Sequence, residues 1–279
     1  MIRNNQIFIK NEKVIERIID AAELNDKDVV LEIGSGDGRM TGHIAKKAKK
    51  VYAVEKDLYL LDESKMNLVD IKNIDFINAD ILKMDIPNDV NKIVSNLPYN
   101  ISSPITEKLI YFMNNVRGSL AVLMYQKEFG DRMVAFPGLR DYSMLSVFVQ
   151  YCMNVEKVMD VSKANFRPVP AVDSIVIKMR PKEIKIDDDF LAFCRVIFQH
   201  KKKNLYSAII DSRTKLATYD KNSIREKLNK IDEASLRKKV FYFEVPELIN
   251  IYNSAVNVGL WIKDAGQKTK KTVKNLQEN

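Results

Sequence analysis

Asn96-Leu97-Pro98-Tyr99 follows the largely apolar run Lys92-Ile93-Val94-Ser95 where a strand is expected to end, and its residue types suit chemistry on a base amine. An exocyclic amine of a nucleobase is a poor nucleophile because its lone pair is delocalised into the ring. Acceptors that take its protons localise that pair, and the Asn96 side-chain oxygen and neighbouring backbone carbonyls are such acceptors. Pro98 sets the turn and removes a competing donor, while Tyr99 offers a ring face for stacking. Four residues of this kind also make an ordinary turn after a strand, so the upstream residues must decide.

Upstream, Val29-Val30-Leu31-Glu32-Ile33 reads as a strand buried on both faces that runs into Gly34-Ser35-Gly36-Asp37-Gly38. Glycines let the chain reverse sharply and let a cofactor approach bare backbone at the amino terminus of the next helix. A dinucleotide loop reads G-x-G-x-x-G, and here the third glycine comes one residue early, a spacing that favours S-adenosylmethionine. Val51–Glu55 supplies a second strand, whose terminal Glu55, 21 residues after Gly34, suits two ribose hydroxyls; a solvated strand-end charge is the alternative for a lone Glu, and this spacing after this loop disfavours it. Ile74–Asp80 supplies a third, with Asp80 placed to accept from an adenine amine and Ile81 to pack on the ring; a lone Asp there is otherwise a helix cap. The fourth strand ends at Asn96, which puts Gly34, Glu55, Asp80 and Asn96 at the carboxyl edge of one parallel sheet, where ligands bind.

The elements that must carry these residues follow from periodicity. Helices are expected over 12–22, 102–114, 126–135 and 142–150, and further strands over 119–124, 155–161 and 174–179, a doubly wound α/β pattern. Between the last two strands, Phe166-Arg167-Pro168-Val169-Pro170 forms a stiff loop; an aromatic on it can stack on a flipped base or plug the core beneath. Beyond Lys182 the pattern turns helical, over 190–198, 205–211, 224–230 and 246–258. The predicted fold is a Rossmann-like S-adenosylmethionine methyltransferase domain, 1–181, followed by a small all-α domain, 182–266, and a basic tail, 267–279, expected to be disordered.

Composition bounds the function. The 279 residues are 46% hydrophobic, enough to bury a core, yet no apolar run reaches the roughly 20 residues that span a bilayer. With no leader-like segment, a cytoplasmic location is expected. Two cysteines far apart and two histidines provide no metal-ligand spacing, so neither a metal nor a disulfide is expected. The net charge of +8 is uneven: residues 182–279 hold 20 Lys+Arg against 13 Asp+Glu, and the preceding 181 hold 25 against 24. This asymmetry points to a polyanion met by the carboxy-terminal part. Lys201, Lys202 and Lys203 are candidate phosphate contacts, since ammonium groups position a nucleic acid without reading its sequence. If they are only a solvated face, Arg132, Arg140 and Arg167 around the catalytic mouth are the alternative RNA footprint.

Three ordered motifs, Glu32–Gly38, Asn96–Ser102 and Phe166-Arg167-Pro168-Val169-Pro170-x-Val172-x-Ser174, resemble the ribosomal RNA adenine dimethyltransferases of the KsgA type over nearly the whole chain. That resemblance implies dimethylation of N6 on two adjacent adenosines in the 3′-terminal hairpin of small-subunit rRNA, with S-adenosylmethionine, in assembling pre-ribosomal particles. It implies that Gln6, Ile7 and Ile9 border the cofactor, that Gly34, Glu55, Asp80 and Asn96 bind it, and that Asn96, Pro98, Tyr99 and Phe166 hold the base. The amino-terminal arm departs from the usual Gly-Gln-x-Phe-Leu, which leaves position 7 a backbone contact only. A monomer is expected. Two alternatives remain: the sister enzymes that methylate a large-subunit rRNA adenine, and an assembly or transcription factor on the same fold for which methylation is secondary.

Overall fold

The computed structural model describes residues 7–217 and 220–263. Two compact units emerge. Among the described residues, the first comprises the chain up to Val134 together with Cys152–Ile184, and the second comprises Ala135–Tyr151 with the chain from Lys185 onward. The expected boundary at 181/182 therefore shifts by three residues, and 135–151, expected in the methyltransferase domain, packs with the helical unit instead. Gln6 and the tail from Gln267 lie outside the described residues.

The first unit opens with a short strand, β1 (Phe8–Ile9), and α1 (Glu12–Ala21), whose amino end is capped by the Asn11 side chain accepting from the Lys13 N–H. Next come β2 (Val29–Ile33), α2 (Arg39–Ala45), β3 (Lys50–Glu55), α3 (Leu58–Asn67), β4 (Ile74–Asn78), β5 (Lys92–Asn96), α4 (Ser102–Met113), β6 (Leu120–Gln126) and α5 (Lys127–Met133). After α6 (Met144–Cys152), which belongs almost wholly to the second unit, the chain returns with β7 (Met153–Val161), β8 (Phe166–Arg167) and β9 (Ser174–Pro181).

Seven of these strands form one sheet in the order β4-β3-β2-β5-β6-β9-β7. The five strands from β4 to β6 are parallel, and β9 inserts antiparallel between β6 and β7. Every residue of β2 is buried, as its near-continuous apolar run requires once helices cover both faces. Apolar residues of α1 (Val14, Ile15, Ile18 and Ile19) join Val30, Val94, Val122 and Val176 of the sheet in one core. Separately, β1 pairs antiparallel with β8, Ile9 facing Phe166.

The second unit adds α7 (Asp188–Phe198), α8 (Leu205–Asp211), α9 (Lys221–Leu228), α10 (Glu233–Arg237) and α11 (Val245–Asn257). Asp187, Asn204, Asp220 and Asp232 cap the first four, each accepting from backbone N–H groups of the first turn. Aromatic rings fill its core: Phe190 and Phe193 both meet Tyr252, and Phe193 also meets Trp261. No helix of the described residues is long and apolar enough to cross a membrane. No group of three or more potential metal-ligating side chains occurs among them either. Cys152 and Cys194 are buried thiols.

Candidate active site

A cleft of about 540 Å³ opens at the carboxyl edge of the parallel strands, within the roughly 300–1,000 Å³ usual for small-molecule sites. Its floor is the glycine turn after β2. Gly34, Gly36 and Gly38 all take positive φ, a backbone conformation that side chains resist. The turn is tied to β3 by the Gly34 and Ser35 N–H groups, which donate to the Val54 carbonyl at 2.8 and 3.2 Å. Gly36 has a second constraint: a Cβ there would lie 2.9 Å from the Phe8 ring, so the glycine lets the amino-terminal arm close over the turn.

Glu55, at the end of β3, lines the cleft and is held rigidly. One carboxylate oxygen accepts from Gly36 N–H at 3.1 Å and the other from Asp57 N–H at 2.9 Å. Each oxygen retains a lone pair for a ligand hydroxyl. Glu32 is the second carboxylate of the cleft, fully buried, and neither of its oxygens has a hydrogen-bond partner among the described residues. Burial pushes its carboxyl up to about 8; the Thr41 hydroxyl, near it but outside good hydrogen-bond geometry, offsets part of that, and the Asp37 and Glu55 charges add to it. A buried carboxylate without a partner is costly, and a cationic ligand in the cleft would complete it.

The opposite wall is Asn96-Leu97-Pro98-Tyr99 at the end of β5. Asn96 Nδ2 donates to the Ile7 carbonyl at 3.0 Å. Because a carbonyl only accepts, the amide must turn its NH₂ toward the arm, and Oδ1 is left as an acceptor. The Pro98 carbonyl accepts Ile101 N–H in a single 3₁₀ turn, which uses one of its lone pairs. Tyr99 is half-buried, its hydroxyl 2.7 Å from Ser174 Oγ and its ionisation pushed up by burial. Ser174 begins β9 opposite Gln126, another lining residue, so the third motif fixes the tyrosine of the second.

The arm forms the roof. Ile7, Phe8 and Ile9 line the cleft, and Arg39 Nη1 donates to the Ile9 carbonyl at 3.3 Å. Lys10 N–H and Asn11 Nδ2 fasten the arm to Asn165 at 2.9 and 2.8 Å.

Several expected residues stand elsewhere. Phe166 is fully buried in the core with Ile9, Ile15 and Val176 and does not line the cleft, because pairing opposite Ile9 turns its ring inward; the stacking role is corrected to a core plug. Asp80 lies two residues beyond β4, outside the cleft lining. Its carboxylate accepts from Leu82 N–H at 3.1 Å and pairs with Lys56 at 3.0 Å, which lowers its pKa; Ile81 beside it is buried. Of the basic candidates, Arg132 and Arg167 belong to the first unit and Arg140 to the second. Lys201 Nζ donates to the Arg140 and Tyr142 carbonyls at 3.0 and 2.7 Å, and Lys203 pairs with Asp211; Lys202 is exposed. Sequence reasoning passed over Glu32, Phe8, Arg39 and Ser174 as site residues. For Glu32 a signal existed: a charge in the middle of a strand buried on both faces needs a reason.

Glycine backbone and two carboxylates on one side, an apolar arm on the other, and an amide acceptor at the rim fit a cationic, hydroxyl-bearing ligand next to a base amine. Comparisons agree with that chemistry. The model of a family described as "Ribosomal RNA adenine dimethylase" matches residues 2–252. A protein of Methanopyrus kandleri named "Probable ribosomal RNA small subunit methyltransferase A" is 38% identical over 263 residues, 92% of each chain. The crystal structure of a dimethyladenosine transferase from Plasmodium falciparum superposes with a TM-score of 0.80 at 28% identity, covering 91% of this chain and 98% of that one. The 23S rRNA methyltransferase ErmE shares the fold at 24% identity and a TM-score of 0.64, covering 88% and 98%. This chain is a ribosomal RNA adenine dimethyltransferase, and it belongs to the ribosomal RNA adenine dimethylase family.

Proposed function

We propose that the enzyme uses S-adenosylmethionine to dimethylate N6 of two adjacent adenosines in the 3′-terminal hairpin of small-subunit rRNA, on pre-ribosomal particles in the cytoplasm. The observation that carries this reading is the Asn96 amide, held by the Ile7 carbonyl so that Oδ1 remains to accept from a base amine at the rim of a cleft lined by Glu32 and Glu55. When bound, S-adenosylmethionine supplies a methyl group activated on a sulfonium. Glu55 would hold its ribose hydroxyls, Glu32 its positive charge, and Gly34 and Gly36 the space for it, with Ile7 and Ile9 over it. Asp80 would accept from the cofactor's adenine amine through a lone pair left over by Lys56 and the Leu82 N–H. Gln6 is proposed at the same border.

Asn96 Oδ1, with the remaining lone pair of the Pro98 carbonyl, accepts the amine hydrogens and localises the nitrogen lone pair. Tyr99, fixed by Ser174, offers its ring to the base. No side chain has to act as a strong base, since the proton of an alkylated amine is acidic and can leave to water; placement supplies the rate.

The test is radiolabelled methyl transfer to purified small and large ribosomal subunits, with the modified positions mapped by primer extension. Label is expected in small subunits only, at two adjacent adenosines, and Asn96→Ala should abolish it. Label in large subunits instead would transfer the assignment to the sister activity, and no label in either would leave an assembly role on this fold.

A further inference from the structure

The second unit carries a surface that the cleft does not explain. Three segments, 136–142, 200–204 and 238–243, are locked together. Gly138 N–H donates to Phe241 O at 2.8 Å, Phe241 N–H to Lys201 O at 3.1 Å and Val240 N–H to Lys203 O at 3.0 Å. Lys201 Nζ closes the frame through the Arg140 and Tyr142 carbonyls, and the buried Tyr142 hydroxyl donates to Phe243 O at 3.0 Å. Gly138 takes φ +88° where a Cβ would lie 3.0 Å from the Tyr242 ring, so this loop is shaped to lie against that ring.

What the frame displays is unusual for a small globular unit. Phe136 is 73% exposed, Leu139 53% and Tyr242 48%, although each has enough apolar surface to favour burial. Around them Arg140, Lys202 and Lys239 are exposed and form no ion pair among the described residues, whereas Lys203 and Lys238 are matched by Asp211 and Glu247. Asp141 is the one acidic residue in the three segments. Apolar rings surrounded by unpaired cations are a poor match for an apolar protein face, which would bury those charges without partners. They match an unpaired nucleic-acid strand, whose bases stack on aromatic faces while its phosphates meet the cations.

We propose that this patch is an RNA-binding surface, with Phe136 and Tyr242 stacking on unpaired bases and Arg140, Lys202 and Lys239 holding the adjoining phosphates. It rests on the reading of the chain as an rRNA-modifying enzyme and goes beyond it by locating a docking surface outside the cleft.

The experiment measures binding of the full chain to a labelled 12-nucleotide oligo(A) and to purified small subunits across a salt series, with methyl transfer to the subunits followed in parallel. Phe136→Ala should weaken binding to both about tenfold or more without changing the salt dependence, since stacking releases no counterions. Phe136→Trp should retain binding, which excludes a folding defect as the cause. Lys202→Gln with Lys239→Gln should reduce the salt slope by about two. Unchanged oligo(A) affinity in Phe136→Ala overturns the proposal. So does a loss confined to whole subunits, which would assign the patch to a ribosomal protein. Absence of methyl transfer by the wild-type chain counts against the functional reading alone, because the patch is judged on binding.

Discussion

Glu32 shows how one residue can carry a measurable signature of the site. Its pKa in the fold, about 8, lies above the ordinary 4.5 because a buried charge without partners is disfavoured. Between those values the folded protein keeps a proton that the unfolded chain releases, so the stabilisation is complete below about pH 4.5 and is lost as pH rises toward 8. At about 1.36 kcal/mol per unit the loss by pH 7 is roughly 3 kcal/mol, several degrees of melting temperature. The ligand-free protein is therefore expected to melt progressively lower from pH 5 to pH 8, and Glu32→Gln to flatten that profile and melt higher than wild type at pH 8. Parallel profiles for the two proteins would mean that Glu32 is ionised without cost. The same residue marks a limit of reading from sequence: Glu32 stood in the open as the first position of the glycine motif, but its burial without a well-formed hydrogen bond is a property of the packed strand.

At the level of elements, the parallel strands, the glycine turn and the strand-end positions of Glu55 and Asn96 were readable because each depends on local pattern: apolar runs, glycine spacing and a breaker. Strand β9 was found, but its insertion between β6 and β7 depends on pairings about 50 and 20 residues distant in the chain, which periodicity does not encode. Phe166 illustrates the same point. Its Pro-rich surroundings suited either a stacking platform or a plug, and the pairing of β8 with β1 decides for the plug. Phe166→Ala should accordingly cost about 3–5 kcal/mol of stability, the usual range for emptying a core aromatic site, and any loss of activity should follow the loss of fold. Denaturant unfolding checks this; wild-type stability combined with weaker capture of the base would restore the stacking role. The contribution of the third motif to the cleft then comes through Ser174 and its contact with Tyr99.

Across the whole molecule, charge and fold are distributed differently from what composition suggests. The basic excess of the last third was readable as a polyanion-binding bias, yet it could not say which lysines are available, because ammonium groups also serve the fold. The second unit also recruits 135–151, a segment that sequence assigned to the first, and Lys201 is one of the residues that bind it there, through the carbonyls of Arg140 and Tyr142. A hydrogen bond from a charged group typically contributes about 1.5–3 kcal/mol, and removing the ammonium leaves two carbonyls to find other donors. Lys202, one residue on, is exposed and outside this framework. Lys201→Gln is therefore expected to destabilise the protein by roughly 2 kcal/mol, whereas Lys202→Gln should leave the unfolding midpoint within about 0.5 kcal/mol of wild type and lower the salt slope of small-subunit binding by about one. Chemical denaturation and a salt titration on the same two variants separate the roles. If Lys201→Gln unfolds like wild type and loses as much RNA affinity as Lys202→Gln, then all three lysines act as one phosphate-binding cluster and the carbonyl contacts are incidental.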